Sequence, residues 1–164
     1  KDTHAIAFTG SVPAAQAVAK NAAARFKPTL IEASGNDAFI VMPSAEVDTA
    51  ARGAAFAAFL NCGQVCTSAE RFYVHEEIYE EFVATLSHLA KELRLGNGIE
   101  KVDIGPMASK RELERFERIV NRAREQGAEL ICGGKRPTHI KRGWFYEPTV
   151  LKVSAEMDLS LIHI

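Results

Sequence analysis

The sequence has almost no excess of charge: 20 basic residues stand against 21 acidic ones, for a net charge of -1. With no basic surplus there is no electrostatic footprint for nucleic acid and no cationic face for a membrane, so neither is expected as a partner. Long apolar runs are absent as well. None approaches the roughly 20 residues that span a bilayer, and Lys1-Asp2-Thr3-His4 has no apolar h-region behind it, so no signal peptide is read there. Cysteine is scarce and odd in number, with three residues that are not spaced as a disulfide framework. That usage predicts a reducing, cytoplasmic setting. The histidines (His4, His75, His88, His139 and His163) stand singly. The spacing Cys62-x-x-x-Cys66 therefore has no second cluster of ligands, and no metal is expected. There is no internal repeat and no low-complexity tract.

What remains is the composition of an ordinary globular protein, 47% hydrophobic and 25% charged over 164 residues, enough for one domain or pieces of two. Ala5 to Thr9 is a short apolar run that stops at Gly10-Ser11, which reads as a strand. Ala14 to Phe26 is rich in alanine, follows Pro13 and is stopped by Lys27-Pro28, which reads as a helix. Thr29 to Ala33 reads as a second strand, so the opening residues form a βαβ unit whose two strands run parallel. The turn Thr9-Gly10-Ser11 then lies at a helix N-terminus, where free backbone N–H groups favour a phosphate. With a single glycine it equally suits an ordinary βα turn.

Ser34-Gly35-Asn36-Asp37 is a turn cluster, and a domain boundary is placed there. Phe39 to Met42 reads as a strand, and Ser44 as the N-cap of a helix with a stripe from Val47 to Phe59. Arg71 to His75 is a further strand. Glu76 to Leu95 is an amphipathic helix closed by Gly96-Asn97-Gly98. Ser109 caps a helix over Lys110 to Gln126, whose charged face is solvated. Glu129 to Cys132 is a strand with Cys132 as a buried, inert thiol, and Trp144 to Leu151 brings an aromatic cluster and a last strand.

Two residues carry the chemistry. Cys66 sits in the polar, turn-rich stretch from Asn61 to Ser68, between a helix end and a strand start, which makes it a candidate nucleophile. An ordinary thiol is mostly protonated at neutral pH. Since no histidine is spaced to pair with it, activation is expected from backbone amides or a bound cationic ring, and its own N–H can help hold an oxyanion. Asn61 and Gln64 either orient substrate or cap the turn, and Cys62 lines the approach. Glu32 ends a parallel strand, where ligand crevices form. Its flanks Leu30, Ile31 and Ala33 predict a partly buried carboxylate suited to general-base work; an exposed strand-end glutamate is the plainer alternative.

Taken in order, these stretches resemble the NAD(P)-dependent aldehyde dehydrogenase superfamily from Phe8 to about Met157. Phe8-Thr9-Gly10-Ser11 is similar to its cofactor turn, Glu32 with Gly35-Asn36 to its glutamate motif, and Asn61-x-Gly63-Gln64-x-Cys66 to its cysteine motif. Gly105-Pro106, Gly133-Gly134 and Gly143-x-Phe145-x-x-Pro148-Thr149 follow in the family's order, and the step from position 32 to position 66 fits its spacing. The resemblance implies an α/β fold: the end of a Rossmann-like cofactor domain over 1–34, most of a catalytic domain over 35–158, and a tail at 159–164 foreign to the family.

It also implies a mechanism. Cys66 attacks an aldehyde, hydride passes to NAD or NADP, and Glu32 activates the water that releases a carboxylic acid. Gly10, Ser11, Ser34 and Gly35 would lie against the cofactor, and the parent would be a homo-oligomer, dimer or tetramer. The sequence departs from the family at Ala33-Ser34-Gly35, where Leu-Gly-Gly is usual, at Ala15 in place of a second glycine, and after Met157. Members are much longer, so an internal fragment is expected, inactive and poorly folded when made alone. A CoA-acylating relative and a non-catalytic protein of the same fold stay open as alternatives; the pairing of Glu32 with Cys66 argues against both.

Overall fold

The structure is a computed structural model and describes residues 3–154 and residue 157. The proposed foreign tail at 159–164 lies outside the described residues. The chain divides into two compact units, the first ending at Asn36 and the second beginning at Asp37.

In the first unit, β1 (Ile6–Thr9) and β2 (Thr29–Glu32) pair in parallel, with Ile6 opposite Thr29 and Thr9 opposite Glu32. The crossover is α1 (Val12–Ala23), which packs through its small residues Ala15 and Ala22. The helix starts two residues earlier than the alanine run predicts, because Ser11 takes the extended N-cap conformation and Pro13 fits the first turn. It also ends earlier. Phe26 adopts a left-handed φ of 51° and the Lys27 N–H donates to the Ala22 carbonyl at 3.0 Å, closing the last turn ahead of Pro28.

In the second unit, β3 (Asp37–Val41) and β4 (Ala69–Val74) are parallel and joined through α2 (Val47–Phe59). Register places Phe39 beside Phe72 and Val41 beside Val74. These side chains turn inward onto a core of Val47, Ala51, Ala54, Phe82 and Leu86, supplied by α2 and α3 (Tyr79–Glu92). The Phe39 and Phe72 rings lie 5.4 Å apart, and Phe72 and Phe82 6.4 Å apart. Alanines on α2 leave no bulk between the helices, which lets the two backbones approach.

The N-cap of α2 is Glu46, not Ser44: its carboxylate accepts the Asp48 and Thr49 N–H groups at 3.4 and 2.8 Å. Ahead of α3, a short 3-10 turn over Glu76–Ile78 is capped by His75, whose Nδ1 accepts the Glu77 N–H at 3.3 Å. That single histidine is structural.

Helix α3 stops at Glu92 rather than Leu95, since Leu93 turns extended. Gly96-Asn97-Gly98 instead lies in a loop closed by Asp103. The Asp103 carboxylate accepts the Arg94 N–H at 2.8 Å and both ends of its guanidinium at 2.9 and 3.0 Å. Those bonds hold the Asp103 carboxyl at about 2. Ser109 caps α4 (Lys110–Glu125) by accepting the Glu112 N–H, and α4 buries Leu113 and Val120 against Tyr146. β5 (Glu129–Cys132) and β6 (Val150–Lys152) pair antiparallel.

Candidate functional site

In the first unit the parallel register brings the cofactor-type turn and the glutamate strand together. The Gly10 N–H donates to the Glu32 carbonyl at 3.1 Å. Ser11 caps α1 by backbone conformation alone, with no side-chain cap bond, and Pro13 in the first turn contributes no N–H. Ser11 is exposed and its hydroxyl is not spent on capping the helix, at the kind of helix N-terminus that suits an anion. A Cβ on Gly10 would meet the Phe8 ring at 2.7 Å, so glycine permits that ring to fold over the turn.

The expected partial burial of Glu32 is not found within this unit. Glu32 is exposed, and its neighbour Leu30 is 76% exposed, because the two-stranded sheet offers these side chains no layer to pack against. Two residues on, Ser34 holds a φ of 78°. Glycine takes that conformation freely, while a residue with a Cβ is strained there by about 1–2 kcal/mol. The departure noted in the sequence therefore falls where backbone freedom matters.

In the second unit, α2 gives way to a turn that delivers Cys66 to the start of β4. Asn61, Cys62 and Gly63 are successively left-handed, with φ of 53°, 62° and 71°. Asparagine tolerates this region through local side-chain bonding, but Cys62 is strained there by about 1–2 kcal/mol, so its surroundings must hold the shape. Side chains do so. The Asn61 amide donates to the Gln64 carbonyl at 3.1 Å, and Gln64 Nε2 returns a bond to the Asn61 carbonyl at 3.1 Å. Gln64 Oε1 accepts the Ala108 N–H at 2.9 Å. Cys62 Sγ donates to the Gly105 carbonyl at 3.1 Å. Asn61 and Gln64 act here as turn residues.

Three cysteines end in three settings. Cys66 is exposed, Cys62 half-buried and Cys132 buried, and none is in a disulfide. Burial pushes the Cys62 thiol up, only partly offset by its bond to Gly105, and burial likewise raises Cys132. Cys66 alone of the three is exposed. Among the described residues no group of three His, Cys, Asp or Glu side chains could hold a metal ion, and no helix is long and apolar enough to cross a membrane.

Two supporting residues escaped sequence reasoning. Ser68, buried, donates its hydroxyl to the Ala57 and Ala58 carbonyls at 3.0 and 3.3 Å, tying the end of α2 to the residues after Cys66. Glu70 accepts the Asp37 N–H at 2.8 Å and so joins the first residues of β3 to β4. A short polar residue within reach of a helix C-terminus is a signal that could have pointed to Ser68. Nothing in the sequence pairs Glu70 with Asp37.

Residues 1–161 match the sequence profile of the aldehyde dehydrogenase family. A 3,6-anhydro-alpha-L-galactose dehydrogenase of Vibrio sp. (strain EJY3) is 37% identical over 98% of this chain and 34% of its own length. A succinate-semialdehyde dehydrogenase [NADP(+)] of Mycobacterium leprae is 43% identical over 90% of this chain and 32% of its own. The crystal structure of a Staphylococcus aureus betaine aldehyde dehydrogenase in complex with NAD+ superposes with a TM-score of 0.93 at 29% identity, covering 96% of this chain and 32% of that one. The chain thus spans about a third of the length of the relatives it matches. A parallel βαβ unit ending in a glutamate, a left-handed turn presenting an exposed thiol, and a profile match over nearly every residue agree: this chain belongs to the aldehyde dehydrogenase family.

Proposed function

We propose that the chain is an internal stretch of a cytoplasmic, homo-oligomeric enzyme that oxidises an aldehyde to a carboxylic acid with NAD+ or NADP+. Cys66 is its nucleophile and Glu32 its general base. The observation that carries this reading is the setting of Cys66, the one exposed cysteine of the three, just beyond a strained turn held by side-chain hydrogen bonds. Structural cysteines are buried and inert, whereas reactive ones are accessible.

Cys66 Sγ, as thiolate, adds to the aldehyde carbon to form a thiohemiacetal, and its own backbone N–H supports the resulting oxyanion. A dinucleotide held by the first unit would supply the hydride acceptor that turns the thiohemiacetal into a thioester on Cys66. Glu32 takes a proton from water, the water oxygen attacks the thioester carbon, and the carboxylic acid leaves as the thiolate is restored.

The residues present fit a dinucleotide at the first unit: a helix N-terminus with an uncommitted Ser11 hydroxyl suits a phosphate. Ser34 and Gly35 would border the nicotinamide. On this reading residues 1–34 end the cofactor domain and residues 35–158 supply part of the catalytic domain. The NADP(+) dependence named for one relative and the NAD+ bound to another support a nicotinamide cofactor without choosing between the two.

The test is made in the full-length dehydrogenase that carries this stretch. Cys66→Ser should abolish aldehyde-dependent absorbance at 340 nm, a loss on the order of 1000-fold or more. Glu32→Gln should leave a single-turnover burst of reduced cofactor and slow the steady state, since only thioester hydrolysis needs the base. Wild-type turnover in Cys66→Ser would end the nucleophile assignment. Release of acyl-CoA in place of free acid would end the hydrolytic one.

A further inference from the structure

We propose that Gln64 is a positioning residue for Cys66: its amide bridges the nucleophile turn and the Gly105–Ala108 segment, and so fixes where the thiol is presented. The proposal rests on the assignment of Cys66 as nucleophile.

Asn61 tolerates the left-handed region, but Cys62 directly after it holds a conformation that short-range preference disfavours. Something outside the turn must therefore define it. Gln64 reaches both ways. Its Nε2 donates to the Asn61 carbonyl at 3.1 Å, inside the turn, and its Oε1 accepts the Ala108 N–H at 2.9 Å, 44 positions along the chain. The two bonds fix the orientation of the amide, because the flipped form would set two donors against each other at Ala108. Only Val65 separates Gln64 from Cys66, so a shift of this anchor passes directly to the thiol.

The far side of the bridge is itself held at both ends. The Met107 N–H donates to the Trp144 carbonyl at 2.8 Å, and Ser109 begins α4. Ile104 bridges Leu95, in the loop that Asp103 closes on Arg94. Cys62 adds a second tie to the same segment through the Gly105 carbonyl at 3.1 Å. Gln64 is exposed, so replacing it opens no cavity. Its bonds shape the turn more than they hold the unit together.

The experiment uses the full-length dehydrogenase with Gln64→Met, which keeps the length and loses both bonds, and Gln64→Glu, which keeps the acceptor for Ala108. Gln64→Met should lower kcat, and the burst rate with it, by about 10- to 100-fold. KM for the aldehyde should move less than threefold and the melting temperature should hardly move. Gln64→Glu should recover part of the loss, with its pH–rate profile displaced to higher pH by the charge placed two residues from the thiol. Ala108→Pro removes the same bond from the other side, so the double variant with Gln64→Met should be no slower than the slower single one.

Full kcat in Gln64→Met would overturn the proposal, as would losses that multiply in the double variant. So would a fall in kcat that follows the melting temperature across the series. An active Cys66→Ser would instead remove the nucleophile assignment on which the proposal stands, and that outcome is read separately.

Discussion

Glu70 shows how a single side chain can serve the fold at a cost in neutral solution. Its carboxylate accepts the Asp37 N–H at 2.8 Å, and partial burial raises its pKa above the ordinary glutamate value, the bond to Asp37 opposing that rise. A group whose folded pKa is raised adds stability below its unfolded pKa, and that addition is lost as pH climbs through the folded value. At pH 7 the ionised Glu70 is therefore a small liability. Glu70→Gln keeps an oxygen for Asp37 and removes the charge. It should raise the unfolding free energy from urea titration at pH 7 by less than about 1 kcal/mol after solvent screening, and that gain should vanish in titrations carried below the glutamate range. An equal gain at all pH values would place its origin elsewhere.

The same scale shows where sequence reasoning reached its limit. Cys66 and the turn around it were legible because polar residues, a glycine and two thiols interrupt an otherwise helical stripe. The burial state of Glu32 was not legible, since apolar neighbours in sequence say nothing of whether a second layer covers them. In this unit Leu30 remains open to solvent.

Among the elements, the first parallel pairing, α2 and α4 could be read from the sequence, whereas the parallel pairing of β3 with β4 was not, and helix ends were missed where long-range or backbone bonds decide them. The stripe Ile78, Phe82, Leu86, Leu89 and Leu93 continues past Glu92, yet Asp103 draws the Arg94 backbone out of the helix. Ser44 is the better cap by residue type, but Glu46 reaches two N–H groups. The β5–β6 hairpin depends on a close approach that the Gly133-Gly134 pair permits. Gly133 has φ of 73°, and a Cβ there would fall on the Pro148 carbonyl oxygen. Gly127 also has positive φ, 98°, with nothing within 4 Å of its Cβ position. Gly133→Ala should thus cost backbone strain plus a steric clash, more than about 2 kcal/mol, whereas Gly127→Ala should cost the strain alone. Chemical denaturation of the two variants checks the order, and equal midpoints would refute the clash.

At the scale of the whole molecule, the second unit presents a contradiction that its parallel sheet makes plain. Parallel strands ordinarily carry cover on both faces. Here α2 and α3 cover the face bearing Phe39, Val41, Phe72 and Val74. The other face places Ile40 directly beside Tyr73, 67% and 51% exposed. Met42 follows on the same side, also exposed. Arg71 lies over the Tyr73 ring at 5.8 Å, a contact that screens part of one side chain only. In the 164-residue chain this face is left to water. The 164-residue chain should therefore bind a hydrophobic dye such as ANS and self-associate as its concentration rises. It should also give no aldehyde-dependent reduction of NAD+. Ile40→Thr together with Tyr73→Thr should weaken both dye binding and association while leaving the inward core intact. A monomeric, dye-silent wild-type chain would show that this face is satisfied without further cover, and aldehyde oxidation lost in Cys66→Ala would show that the site is complete within these residues.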